Sequence, residues 1–150
     1  MEPFFGQLGL GLALGLGAVG SALGIGAAGK AAAGAWAKEA RAGKPLNFSY
    51  IILTGMPLSQ TIYAFILMLV GLSGRVYDPA DLAANAGALL SISIACGLAE
   101  LFSAWNQGLI GAAACRAISE GEGKGLVFMI IAMGIAETVG IGRASCRERV

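Results

Sequence analysis

The sequence predicts an all-α membrane protein with four transmembrane helices, arranged as two duplicated helical hairpins. Three observations support this fold class. The 150 residues are 57% hydrophobic and only 13% charged, about half the charged fraction of an ordinary soluble domain. Long apolar stretches containing many of the 24 glycines alternate with short polar segments, which suits closely packed helices in a bilayer. The third observation is an internal duplication that relates the first pair of apolar stretches to the second.

Four apolar stretches approach or exceed the roughly 20 residues that a helix needs to cross a bilayer. We predict spans at about residues 4–36 and 48–72, forming a first hairpin within residues 1–72. A second hairpin within residues 82–140 has spans at about 82–118 and 125–140. The first and third spans are longer than a bilayer requires, and we expect their ends to project into water.

A period-two alternation of glycine and leucine between Gly9 and Gly17 is the one pattern that favours a strand. Glycine is a poor strand former, and the apolar run is too long for a barrel strand. We therefore interpret this segment as a helix that packs tightly against other helices.

The last ten residues, 141–150, differ from the rest of the chain. Three arginines and a glutamate interrupt an apolar stretch there, and the string resembles a sequencing adapter translated in frame. We expect residues 141–150 to be an artefactual tail and the last span to be cut short after about Gly140. The alternative is a genuine tail outside the membrane. We infer nothing about the fold from this segment.

The connecting segments predict the orientation in the membrane. Lys and Arg outside the tail fall mostly in or beside residues 38–44 and 119–124, whereas residues 73–79 contain one Arg and one Asp. Positively charged loops stay in the cytoplasm. The sequence therefore predicts a multi-pass protein of the cell membrane with loops 38–44 and 119–124 in the cytoplasm and both termini outside.

Composition excludes several classes of function. The chain has no histidine, and its three cysteines lack metal-binding spacing, so a structural zinc site is excluded. A formal net charge of +1 gives no reason to expect nucleic acid as a partner. We find no candidate catalytic site within the chain itself.

The two hairpins resemble each other in sequence. Within residues 21–29 of the first span, the small and hydroxyl residues at positions 21, 22, 26 and 29 match those at positions 103, 104, 108 and 111 of the third span. Residues 56–62 of the second span align with residues 133–139 of the fourth, so that Gln60 and Glu137 occupy equivalent places. A duplicated hairpin that kept one of two carboxylates would have this pattern.

Glu137 is the candidate functional residue. A carboxylate at the centre of a bilayer costs about 2.5–3.5 kcal/mol on insertion scales. Glu137 lies about twelve residues into its span, near mid-depth at about 1.5 Å per residue. Protonation, a bound cation or a buried partner would offset the cost. A structural, hydrogen-bonded glutamate is the alternative. Glu100 of the third span is either a second functional group or a structural acid, and we favour the structural interpretation.

The second and third spans offer partners for this carboxylate. Pro57 cannot donate a backbone hydrogen bond, which loosens the helix beside Ser59 and Gln60. Tyr63, one turn further, is placed to donate its hydroxyl to the glutamate, and Gln107 offers another amide oxygen. A helix–helix hydrogen bond without ion contact is the alternative for Gln107. Carboxylate, amide and hydroxyl oxygens suit a hard cation.

Together these features resemble the proteolipid subunit of rotary V-type ATPases, in particular the bacterial sodium-pumping K-subunit type. The resemblance covers residues 1–140. Its most specific parts are Pro57-Leu-Ser-Gln60 with Tyr63, Gln107-Gly108, and Ala136-Glu137-Thr138. The chain departs from the family at Leu58, where a small residue is usual.

The resemblance implies a Na⁺ site at the middle of the membrane. Its ligands would be Glu137, Gln60, Ser59, Gln107 and the backbone carbonyl of Met56, with Tyr63 and Pro57 in supporting roles. It also implies a ring of identical subunits in the lipid bilayer. That ring would rotate against a stator membrane subunit with a basic group, and a central-stalk subunit would contact its cytoplasmic loops. Soluble subunits elsewhere would hydrolyse ATP.

Three alternatives remain open from the sequence. The transported ion could be H⁺, since a proton needs only the carboxylate. The chain could be a small stand-alone four-helix transporter or channel, which predicts activity in liposomes without other subunits. It could also be a structural membrane scaffold, for which Glu137→Gln would leave assembly and function unchanged.

Overall fold

The computed structural model describes residues 2–121 and 123–144. These residues form four helices and no β-strand: α1 (Glu2–Arg41), α2 (Ser49–Val76), α3 (Pro79–Glu120) and α4 (Leu126–Ala144). The predicted all-α membrane architecture is confirmed. Helices α1, α2 and α3 are long and apolar enough to cross a bilayer, whereas the apolar part of α4, Leu126–Gly140, is shorter.

The helices extend beyond the apolar stretches that predicted them. The 40 residues of α1 and the 42 residues of α3 correspond to about 60 Å, twice the thickness of a hydrocarbon core. Residues 38–41, which we expected in the first loop, form the last turn of α1. Helix α4 continues to Ala144, into the segment that we interpreted as an artefactual tail, and residues 145–150 lie outside the described part of the chain.

The turns between helices follow from their local sequences. The Asp78 carboxylate accepts hydrogen bonds from the Ala80 and Asp81 amides at 2.9 and 3.4 Å, and Pro79 occupies the first helical position of α3. Gly123 and Gly125 adopt φ values of 87° and 92° between α3 and α4. Glycine adopts such values without steric cost, so this pair makes the short reversal possible.

Helix α2 is irregular along its length. It begins as an α-helix, tightens into a 3-10 turn at Met56–Leu58, resumes as an α-helix over Ser59–Ile66 and widens into a π-helix over Leu67–Leu72. Pro57 lies in the 3-10 turn, where the predicted loosening of the helix is present. The irregular turn therefore directly precedes Gln60 and Tyr63.

Glycines bring α1 and α3 into backbone contact. A Cβ atom on Gly108 would overlap the backbone of Gly24, and one on Gly20 would overlap the backbone of Leu101. Larger side chains at these positions would push the helices apart, as at other closely packed membrane helix interfaces. This pair of helices forms the central support of the bundle, against which α2 and α4 pack.

Two apolar clusters lie at different levels of the bundle. One contains Ala32, Ala35, Tyr50, Leu53, Ala114, Cys115, Ile118 and Met133. The other contains Ala13, Leu72, Val76, Leu82 and Leu89. The buried polar side chains in the central part of the helices, including Ser21, Gln60, Glu100 and Gln107, lie between these levels along the sequence of each helix. The apolar clusters thus enclose a polar layer.

The connection between α1 and α2 is held by a buried carboxylate. Glu39 is 8% exposed and accepts hydrogen bonds from the Tyr50 hydroxyl at 2.6 Å and the backbone N–H of Asn47 at 2.9 Å. The Trp36 indole donates to the Asn47 carbonyl at 2.9 Å. These contacts fix the first hairpin at the end that carries the basic loops.

Large apolar side chains also cover much of the outer surface. Val70 is 81% exposed, Phe128 74% and Val127 66%. Such an extensive apolar exterior suits contact with lipid or with neighbouring subunits rather than with water.

Candidate functional site

Glu137 accepts hydrogen bonds from two other helices. The Tyr63 hydroxyl of α2 donates to Oε1 at 2.8 Å, and Nε2 of Gln107 in α3 donates to Oε2 at 3.4 Å. Within the described part of the chain, each carboxylate oxygen therefore has one donor. Hydrogen bonds to the charged form of a carboxylate favour that form, which offsets part of its cost in the membrane.

Gln107 links the carboxylate to the backbone of α4. Its Nε2 also donates to the Met133 carbonyl at 3.3 Å, one turn before Glu137. Gln107 is fully buried, and its Oε1 has no hydrogen-bond partner among the described residues. This oxygen is available to a group that the polypeptide does not supply.

Three hydroxyl groups tie the helices together around the site. Ser103 donates to the carbonyl of Ala136 at 2.7 Å, which joins α3 to α4 directly before Glu137. Ser21 donates to the Pro57 carbonyl at 2.6 Å, and Thr61 donates to Ser21 Oγ at 2.7 Å. Helix α1 is thereby bonded to the irregular turn of α2, so the backbone near Gln60 is held on both sides.

Gln60 and Glu100 form a second part of the polar layer. Gln60 is fully buried and Glu100 is 2% exposed. A methyl group on Gly140 would collide with both Glu100 Oε2 and Gln60 Oε1, so these two oxygens face the same small volume. Neither oxygen, nor Gln60 Nε2, has a hydrogen-bond partner among the described residues.

Ser59 and Met56 contact each other rather than the carboxylate. The Ser59 hydroxyl donates to the Met56 carbonyl at 3.0 Å, within the same turn. Among the described residues neither makes a hydrogen bond to Glu137. Ion ligation by this pair, which the resemblance implied, remains a prediction.

The unpaired atoms determine what the polar layer can bind. Buried polar groups in proteins are almost always hydrogen-bonded. Within residues 2–121 and 123–144, three buried oxygens of this layer lack a partner: Gln60 Oε1, Gln107 Oε1 and Glu100 Oε2. Oxygen atoms of this kind beside a carboxylate suit a hard cation, because such ions prefer oxygen ligands.

The sequence located this site in part. The contact between Tyr63 and Glu137 that the sequence led us to expect is present, and Gln107 lies at the carboxylate. The placement of Glu100 against Gln60 was missed. Its one signal in the sequence was a second acidic residue in the middle of an apolar span.

Comparison with known proteins gives one result that bears on this geometry. The sequence model of a protein family described as the ATP synthase C-subunit matches residues 8–70 and residues 90–141. The first match lies within α1 and α2, and the second lies within α3 and α4 and includes Glu137. No curated protein matches the chain.

Proposed function

The chain belongs to the ATP synthase C-subunit family, and on that premise we propose that it is a Na⁺-carrying rotor subunit of a V-type ATPase. The family consists of the ion-translocating proteolipids of rotary ATPases, which form oligomeric rings in the membrane and work against a stator subunit. The unpaired oxygens of the site support the choice of Na⁺. The four helices with Glu137 in the last one support the choice of the V-type enzyme, whose proteolipid they resemble.

The unpaired oxygens of the polar layer support the choice of Na⁺ as the ion. A proton occupies one carboxylate oxygen and needs no other ligand, whereas a dehydrated cation needs several oxygens. Gln107 Oε1 and Gln60 Oε1 are fully buried and lack partners among the described residues. An unsatisfied buried acceptor costs about 1–3 kcal/mol. A bound Na⁺ would remove that cost at both amides, which a proton on Glu137 would not do.

The proposed transport cycle follows from the charge of the site. Na⁺ binding neutralises Glu137, so that a loaded subunit passes the lipid without an exposed charge. Tyr63 and Gln107 each donate to one oxygen of the carboxylate, and these bonds would hold Glu137 in place while the ion binds and leaves.

Release takes place at the stator. A basic group on the stator membrane subunit would stabilise the empty, negatively charged carboxylate and so favour loss of the ion. Moving one charge against about 100 mV requires about 2.3 kcal/mol. Rotation driven by ATP hydrolysis in soluble subunits would supply this energy.

The orientation of the chain completes the proposal. The basic residues Lys38 and Arg41 end α1, and Lys44 follows in the first loop. By the positive-inside rule these loops face the cytoplasm, where a central-stalk subunit would contact them, and both termini face out. The closely packed pair α1 and α3 would then line the inside of the ring.

Carbodiimide labelling of Glu137 tests the choice of ion. The reagent modifies protonated carboxyl groups, and a bound Na⁺ keeps Glu137 ionised and occupied. We expect NaCl to protect Glu137 in the assembled ring, measured by mass spectrometry of the labelled peptide.

Choline chloride at equal ionic strength is the control, and it should give no protection. Gln107→Leu should raise the Na⁺ concentration needed for half protection by about tenfold, since it removes one ligand and one donor. Labelling that depends on pH but not on Na⁺ would favour the proton-carrying version of the same protein.

A further inference from the structure

Glu100 lies in the middle of α3 at a point where all four helices meet. Its Cβ atom is 3.7 Å from the position that a Cβ atom on Gly17 of α1 would take. Its carboxyl group reaches Gly140 of α4, and Gln60 of α2 reaches the same place. Glu100 is 2% exposed, so the four helices enclose its side chain almost completely.

The side chains of Glu100 and Gln60 each lack what the other offers. Among the described residues, Glu100 Oε2 is a buried acceptor without a donor, and Gln60 Nε2 is a buried donor without an acceptor. The amide end of Gln60 and Glu100 Oε2 face the same volume beside Gly140. A half turn of the terminal amide exchanges the positions of its nitrogen and oxygen and leaves the rest of the side chain in place.

We propose that Glu100 is a positioning residue for the ion site: it accepts a hydrogen bond from Gln60 Nε2 and thereby presents Gln60 Oε1 to the ion held by Glu137. The bond satisfies the two unpaired atoms, and it turns the amide oxygen away from Gly140. Glu100 acts through Gln60 and does not touch the ion. The ion's identity rests on the proposed function, whereas the contact between Glu100 and Gln60 does not.

A positioning role for Glu100 predicts a result that a purely structural role does not predict. If Glu100 acts through Gln60, its replacement has no further effect on ion binding once the Gln60 amide is gone. If the two side chains acted independently, the factors by which their replacements weaken Na⁺ binding would instead multiply. A double-mutant cycle on these two residues therefore separates positioning from general stabilisation of the bundle.

The cycle uses assembled rings of the wild type, Glu100→Leu, Gln60→Leu and the double variant. The readout is the Na⁺ concentration that half-protects Glu137 against carbodiimide. We expect each single substitution to raise this concentration by about tenfold, and the double variant to match Gln60→Leu within about twofold. The proposal would be overturned if the double variant needed about a hundredfold more Na⁺ than the wild type for half protection. It would also be overturned if Glu100→Leu needed the same Na⁺ concentration as the wild type.

Two further variants keep the test decisive if Glu100→Leu fails to assemble. Glu100→Gln keeps an amide oxygen that can accept the bond from Gln60, and we expect Na⁺ protection within about threefold of the wild type. Ser93→Ala removes another buried polar group from α3, about two turns before Glu100, and should leave protection unchanged. Loss of protection in Glu100→Gln rings that assemble normally would contradict the positioning role.

Failure of the proposed function would be recognisable in the same experiment. If Na⁺ fails to protect the wild type, the Na⁺ assignment is rejected whatever the variants do. The coupling of Glu100 with Gln60 is then measured from the rate at which carbodiimide labels Glu137 in the four variants without Na⁺. The contact is supported if the effects of the two substitutions on the logarithm of the labelling rate do not add. It is overturned if these effects add.

Discussion

At the residue scale, the central feature is the Glu137 carboxylate of α4, which has one hydrogen-bond donor for each of its oxygens among the described residues. Tyr63 and Gln107 come from different helices, so the position of Glu137 depends on the packing of α2, α3 and α4 together. Hydrogen bonds that involve a charged group contribute about 1.5–3 kcal/mol, more than neutral ones. Both donors should therefore have a measurable share in ion binding.

Removing the tyrosine hydroxyl should weaken the site without unfolding it. Tyr63→Phe keeps the ring and loses the 2.8 Å bond to Glu137 Oε1. We expect the Na⁺ concentration for half protection of Glu137 to rise about tenfold, which corresponds to about 1.4 kcal/mol. Tyr77→Phe makes the same change at a tyrosine that is 76% exposed and should behave as wild type. Equal behaviour of the two variants would contradict the assigned role of Tyr63.

The contact of Tyr63 was predictable from residue spacing along one helix. Contacts that depend on how each helix is rotated about its own axis were missed. Tyr63 follows Gln60 by one turn, on a neighbouring part of the same helix face, so its hydroxyl was predicted as a donor to Glu137. The meeting of Glu100 and Gln60 depends on Gly140, whose missing side chain makes room for both. A single sequence does not indicate which glycine faces which neighbour.

At the element scale, glycine contacts set the distance between α1 and α3. The two helix backbones touch because Gly24 and Gly108 lie against each other. The four helices were predictable from the length of the apolar stretches. Their mutual rotation was not, because α1 and α3 contain small and apolar residues all around and have no single polar face.

A methyl group at this contact should loosen the bundle. Gly108→Ala places a Cβ atom against the Gly24 backbone, which cannot move aside as a side chain would. We expect a loss of about 1–3 kcal/mol or more, seen as a lower thermal denaturation temperature of the detergent-solubilised protein.

Gly87→Ala is the matched control on the same helix, since a Cβ atom there meets nothing within 4 Å. This variant should keep the wild-type denaturation temperature or exceed it slightly, because alanine favours helix. The assigned role of the α1–α3 contact would be wrong if Gly108→Ala were as stable as Gly87→Ala.

The irregularities of α2 were partly predictable. Pro57 indicated the loosened turn at Met56–Leu58, since proline lacks the amide hydrogen. The π-helical segment Leu67–Leu72 has no such signal, as its sequence reads as an ordinary apolar helix.

At the scale of the whole molecule, the two hairpins form one bundle with the polar layer between two apolar clusters. The ends of α1 and α3 extend beyond a bilayer, and the basic loops lie at one end of the bundle. This asymmetry supports the proposed orientation, which membrane-impermeant reagents can test.

Cysteine labelling should distinguish the two sides of the membrane. Ala42→Cys and Tyr77→Cys place an exposed thiol in the first and second loops, in a background with Cys96, Cys115 and Cys146 changed to alanine. We expect an impermeant maleimide to label Tyr77→Cys in intact cells, and Ala42→Cys only after permeabilisation. The reverse pattern would invert the proposed topology.

Equilibrium binding of radioactive sodium to the purified ring measures directly whether Glu137 holds Na⁺. We predict one saturable Na⁺ site for each wild-type protomer and none in Glu137→Gln rings of normal assembly. The amide in that variant keeps the shape of the side chain and removes the charge that holds the ion. Saturable Na⁺ binding in Glu137→Gln equal to that of the wild type, or none in the wild type, would contradict the proposed function.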